Sequence, residues 1–145
     1  MNLSSIEPAI PLLKIVAIDP GREKCGVAVV TLQGEVLLRR IFGRADLVSA
    51  IAPILKLHAI ETLVVGDSTG SKQLVTELTA RFPQTAIAVV DETHSTLAAR
   101  AIYWKAHPPS GWRRIVPLSL QNPPVAIDDY AAVVLALRYL ENSGQ

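Results

Sequence analysis

The residues of this chain whose types and placement could do chemistry are its carboxylates. Asp19 closes the apolar run Ile15–Ile18, Asp67 follows the run ending at Gly66, Glu92 follows the run ending at Val90, and Asp128 and Asp129 open the last apolar stretch. Ligands of open α/β sheets bind outside the carboxyl ends of the strands. Acids gathered at such an edge repel one another unless a cation joins them. An all-oxygen donor set, with no histidine or cysteine at comparable positions, suits Mg²⁺ or Mn²⁺. Two such ions about 4 Å apart can activate a water and stabilise the leaving oxygen of a phosphodiester. Each acid also has an ordinary use. Asp19 precedes Pro20-Gly21, a turn sequence; Asp91, Glu92, Asp128 and Asp129 stand at expected helix starts, where acids cap and oppose the macrodipole; Asp67 precedes a Ser-Thr-Gly loop. The case for chemistry therefore rests on the elements that would bring them together.

Those elements read as follows. Ile15–Ile18 is a short continuous apolar run, the pattern of a strand buried on both faces. Gly26–Val30 follows too soon for an intervening helix, so the two strands are expected to be antiparallel neighbours. After the turn at Gln33-Gly34, Glu35–Phe42 reads as a third strand. Leu47, Ile51, Ile54 and Leu55 then recur at helical spacing, with Pro53 expected to kink or shorten the helix. Thr62–Val65 is a strand; Leu74, Leu78 and Phe82 mark a helix closed by Pro83; Ala86–Val90 is a strand; Leu97–Lys105 is helical. A loop with five prolines spans 108–124. Ile127–Glu141 is a helix apolar nearly all round, expected to be buried against something large. The expected fold is α/β: a five-stranded mixed sheet, a three-stranded antiparallel meander followed by parallel strands, flanked by helices.

With 145 residues, half of them hydrophobic and 19% charged, the chain suits one globular domain and not a disordered segment. The organisation expected is a flexible arm over 1–13, one domain over 14–141 and a tail over 142–145. Fourteen basic residues against thirteen acidic leave a net charge of +1, so a polyanion partner would need a local patch. One cysteine, Cys25, excludes an internal disulfide and any zinc site built on cysteine pairs. No apolar run reaches about 18 residues, and a cytoplasmic protein with no membrane partner is expected.

Four segments, AIDPGREKCGVAVV, LVVGDSTGSKQ, AVVDETHSTLAARAIYW and AIDDYAAVVLALRYLE, resemble the YqgF/RuvX type of Holliday-junction-resolvase-like proteins in order and spacing. The resemblance implies a ribonuclease H-like fold and a metal-dependent nuclease acting on structured nucleic acid, either in processing of precursor small-subunit (16S) rRNA or in junction cleavage. It places the family's first-strand aspartate at Asp19, its glutamate at Glu92 and its last aspartate at Asp128. These are the expected catalytic residues and, with Asp129, the expected metal ligands. The chain departs from the pattern at Thr93, where arginine is usual, at Asp67, which stands in place of a proline motif and is a candidate extra ligand, and in its long proline-rich loop.

A phosphate backbone needs positive charge beside the carboxylates. Arg22, Lys24, Arg100, Arg113 and Arg114 are the candidate nucleic-acid contacts, and Arg39, Arg40 and Arg44 cluster around the third strand. Tyr103, Trp104, His107 and Trp112 add aromatic faces that either stack on unpaired bases or pack in the core. RNA is favoured over a DNA junction as partner, and monomer and homodimer both stay open. A catalytically weak or inactive RNA- or ribosome-binding module with the same fold is the alternative. The Asp19-x-Gly21 turn also resembles the first phosphate loop of actin-like and sugar kinases, which need a second comparable domain.

Overall fold

The computed structural model describes residues 13–93, 95–108 and 127–143. Strands β1 (Lys14–Asp19), β2 (Lys24–Thr31), β3 (Val36–Gly43), β4 (Thr62–Gly66) and β5 (Ala86–Val90) form one sheet in the order β3-β2-β1-β4-β5. The first three are an antiparallel meander, and β4 and β5 join parallel to β1. Among the described residues the helices are α1 (Leu47–Leu57) and α2 (Ser71–Arg81) on one face, α4 (Asp128–Ser143) on the other, and α3 (Ser95–Ala106) packed on α4. The mixed α/β architecture expected from the pattern is the one observed.

Burial explains the pattern. β1 lies at the sheet centre, so Ile15 to Ile18 are covered on both faces and must all be apolar. On one face Val16, Ile18, Val27, Val29, Leu63 and Val65 meet Leu47, Ile51 and Leu55 of α1 and Leu74 and Leu78 of α2. On the other, Ile15, Ala17, Ala28, Val30 and Val64 meet Ala132, Val133, Leu135 and Ala136 of α4. The outer side of α4, through Tyr130, Ala131 and Val134, packs on Ala99, Tyr103 and Trp104 of α3. A helix sandwiched between a sheet and another helix has little use for a polar face, which accounts for the composition of α4.

Three details refine the pattern. A 3₁₀ turn, Arg44–Asp46, precedes α1. Pro53 sits inside α1, which continues through it to Leu57, so the proline neither ends nor truncates the helix. The missing N–H deprives only the Ser49 carbonyl, one turn earlier and not fully buried. At the C-terminus of α1, Ala59 takes φ 52° while Ile60 N–H bonds Leu55 O at 3.0 Å and Ala59 N–H bonds Lys56 O at 3.4 Å. This is a Schellman closure with alanine where glycine is preferred. Ala59→Gly should stabilise the fold by about 0.5–1 kcal/mol, the relief of the left-handed strain exceeding the extra freedom of the unfolded chain. Urea denaturation would check it; a lower midpoint at unchanged slope would contradict it.

Candidate active site

Because β1, β4 and β5 run parallel, their carboxyl ends share one edge, and the antiparallel β2 begins there too, with Asp19 opposite Gly26. That edge receives Asp19 from the end of β1, Asp67 from just past β4, Glu92 from just past β5, and Asp128 and Asp129 from the first turn of α4. The N-terminus of α4 lies directly on β2: a Cβ at Gly26 would collide with the Asp128 carbonyl and come within 2.6 Å of the Asp129 nitrogen. Only glycine lets the helix end approach so closely. A glycine inside an otherwise apolar strand is the sequence signal for such an approach.

Asp19 and Glu92 touch. Burial pushes the Asp19 carboxyl up to about 7, with the charges of Glu92 and Asp128 and a hydrogen bond to Glu92 acting in the same direction. Glu92 is also raised, by burial first and by the charges of Asp67 and Asp91, while its bond with Asp19 opposes the rise. Both carboxyls are thus raised, and two acids in contact at a buried edge do not ionise together as readily as free ones. Glu92 Oε2 is buried with no hydrogen-bond partner. The Glu92 carboxylate lies over Gly66, where a Cβ would collide with Oε2.

The other acids are occupied differently. Asp128 Oδ2 is 3.6 Å from Lys24 Nζ. Asp129 Oδ2 takes a 3.0 Å bond from Arg39 Nη1, its Oδ1 accepts the Tyr130 N–H, and the Arg39 guanidinium stacks 4.1 Å from the Tyr130 ring centre. Asp67 Oδ1 accepts the backbone N–H of Glu92 at 3.1 Å. Among the described residues, no three His, Cys, Asp or Glu side chains converge into a group able to hold a metal ion. The donors are nevertheless hard oxygens of the kind Mg²⁺ and Mn²⁺ take: Asp19 and Glu92 are in contact, Glu92 Oε2 is buried and unpartnered, and the Asp128 carboxylate stands within electrostatic reach.

Of the candidate nucleic-acid contacts, Arg22 is exposed and lines a cleft of about 870 Å³ together with Pro20, Gly21, Arg44, Ser68 and Gln73. Lys24 faces Asp128, and Arg100 is half-buried on α3. Arg113 and Arg114, like His94 and Trp112, lie outside the described residues. Arg44 is paired with Glu77 at 3.1 Å and Arg39 with Asp129, so neither is a bare cation. Tyr103 and Trp104 are 7% and 5% exposed, edge-on to each other in the α3–α4 core, which removes them as base-stacking platforms. Their helix positions face α4, and large aromatic area is buried there in preference to being left on the surface. His107, stacked on Tyr103, remains exposed. Cys25 belongs to β2 and is buried. No helix among the described residues is long and apolar enough to cross a membrane.

The fold is ribonuclease H-like. RuvC from Thermus thermophilus, solved in complex with a Holliday junction substrate, superposes with a TM-score of 0.56 at 16% identity, over 90% of this chain and 96% of that one. A second Thermus thermophilus RuvC structure gives 0.53 at 15% identity, over 87% and 92%. A ROK family glucokinase from Streptomyces griseus, in complex with glucose and AMPPNP, gives 0.42 at 14% identity, this chain spanning 36% of its length. No family model and no curated protein matches the sequence.

Proposed function

We propose that this protein is a divalent-metal-dependent nuclease that hydrolyses phosphodiester bonds in structured nucleic acid, with precursor small-subunit rRNA favoured over a DNA junction by its resemblance to the YqgF/RuvX type. The observation that carries the reading is the Asp19–Glu92 pair, two carboxyls in contact and both raised by burial at the carboxyl ends of the parallel strands, with Asp128 close enough to raise Asp19 further. Asp19 and Glu92 would hold Mg²⁺ or Mn²⁺, Asp128 being the third donor. Asp129 assists from behind, its oxygens tying the first turn of α4 to Arg39 and to its own helix. The bound ion would supply Lewis-acid stabilisation of the phosphodiester and lower the pKa of water. Lys24 and Arg22 flank the acids and oppose the repulsion that a phosphate backbone would meet there. The similarity of the fold to a junction-bound RuvC supports the substrate class.

The deciding assay incubates purified protein with precursor rRNA and with a synthetic four-way junction, with and without Mn²⁺. Cleavage should require the ion, and Glu92→Gln should lower it by at least about 100-fold, since an amide keeps the shape but neither charge nor full donor power. Undiminished cleavage by Glu92→Gln would remove the acid pair from the chemistry. RNA binding with no affinity for divalent ions would favour the second reading, a non-catalytic binding module, which the lack of a three-acid group among the described residues motivates.

A further inference from the structure

Glu92 stands beyond the end of β5, in a stretch with neither helix nor strand geometry before α3. A carboxylate on such a segment is useful only if its backbone is held. Asp67, at the end of the neighbouring strand, does this from both sides: its own N–H bonds the Val90 carbonyl at 3.0 Å, and its Oδ1 accepts the Glu92 N–H at 3.1 Å. The corner is braced further by Arg138 of α4, whose Nη1 donates to the Asp91 carbonyl at 2.9 Å. Asp91 Oδ1 in turn accepts the Thr93 N–H at 2.9 Å and the Thr93 hydroxyl at 2.6 Å. Gly66, immediately before Asp67, leaves the space that the Glu92 carboxylate fills.

We infer that Asp67 is a positioning residue, setting the direction of Glu92 through its backbone N–H and not joining the acids that face the substrate; this rests on the reading of Glu92 as a site acid. A further negative charge beside Asp19, Glu92 and Asp128 adds repulsion, so its presence needs a reason, and the hydrogen bond to Glu92 is one. It also accounts for Thr93, whose hydroxyl completes the same corner through Asp91. Asparagine at 67 would keep the accepting oxygen and lose the charge. Alanine would lose both.

The test compares Asp67→Ala and Asp67→Asn in the full chain by three readouts: the Glu92 amide proton resonance and its temperature coefficient in metal-free protein, Mg²⁺ affinity by calorimetry, and cleavage kinetics. Asp67→Ala should abolish the hydrogen-bonded character of that amide, weaken Mg²⁺ about tenfold and lower kcat by a similar factor with KM unchanged, and Asp67→Asn should restore the amide and bring the other values within about threefold of the parent. Asp67→Asn as damaging as Asp67→Ala would overturn the inference in favour of a direct role for the charge. An unaltered Glu92 amide in Asp67→Ala would overturn it outright. If no variant cleaves nucleic acid or binds Mg²⁺, the proposed function fails while the amide resonances still decide the positioning role.

Discussion

Asp19→Asn should abolish metal-dependent cleavage and at the same time make the metal-free protein more stable above neutral pH. The loss of activity, expected to exceed about 1,000-fold, follows from removing a charged donor of the pair. The gain in stability follows from linkage. The Asp19 carboxyl is raised from 3.8 to about 7 on folding, chiefly by burial and then by Glu92 and Asp128. The folded state therefore binds more protons than the unfolded state between those values, and stability falls as pH rises from about 4 through 7. Three pH units at 1.36 kcal/mol each set a ceiling of about 4 kcal/mol above pH 7, and penetrating solvent lowers it. An asparagine carries no charge, and its amide N–H can donate to the Glu92 carboxylate, whose Oε2 is buried without a partner. At pH 8 the variant should melt several degrees higher than the parent, with the difference shrinking toward pH 4. If the proposed function holds, Mg²⁺ should raise the melting temperature of the parent at pH 8 and leave that of the variant almost unchanged, because only the parent keeps both carboxylates of the proposed ligand pair. A variant less stable than the parent at pH 8, without Mg²⁺, would show that Asp19 is not a buried, repelled acid.

Gly26→Ala should do the opposite and damage the fold before the chemistry. The added Cβ meets backbone atoms of Asp128 and Asp129, which cannot rotate aside as a side chain could. To clear it, the start of α4 must move off β2, and α4 carries both the core beneath the sheet and the contact with α3. A loss of about 3 kcal/mol or more is expected, beyond the usual range for overpacking because two cores are disturbed together. Gly66→Ala supplies the contrast. Its Cβ would meet the end of the Glu92 side chain and approach Leu135 Cδ1 to 2.9 Å. Those atoms can give way, so the cost should stay within about 2 kcal/mol while Glu92 is displaced and cleavage is lost. Urea denaturation beside activity separates the two glycines. Equal stability losses would mean that the α4–β2 contact is looser than its geometry.

The elements were legible because burial on a sheet leaves a period-2 or fully apolar signature and burial of a helix a period-3.6 one. β1 and β4 showed as unbroken apolar runs because they are covered on both faces, and α4 showed as apolar nearly all round because sheet and helix enclose it. Pro53 does not shorten α1, since a helix tolerates a proline where the carbonyl it deprives can reach water. The site was legible in part. That Asp19, Glu92 and Asp128 occupy one edge follows from strand direction and helix order, which the pattern encodes. That Asp129 belongs to Arg39 and Asp67 to the Glu92 amide does not, because hydrogen-bond partners far apart in the chain leave no mark in local periodicity. The same holds for Tyr103 and Trp104, whose helical spacing was compatible with a core or a binding face until α4 was seen to cover them.

Taken alone, the order of residues determined which segments are strands and helices, the direction of each strand relative to β1, and hence which chain ends meet. Only the folded arrangement decided which acids touch, which are paired with arginine or lysine, and which glycines admit a neighbouring backbone. The division has a physical cause: secondary structure and strand direction are set by interactions within a few residues and by burial, whereas charge pairing and close approach depend on distances of a few ångströms between segments that sequence places dozens of residues apart.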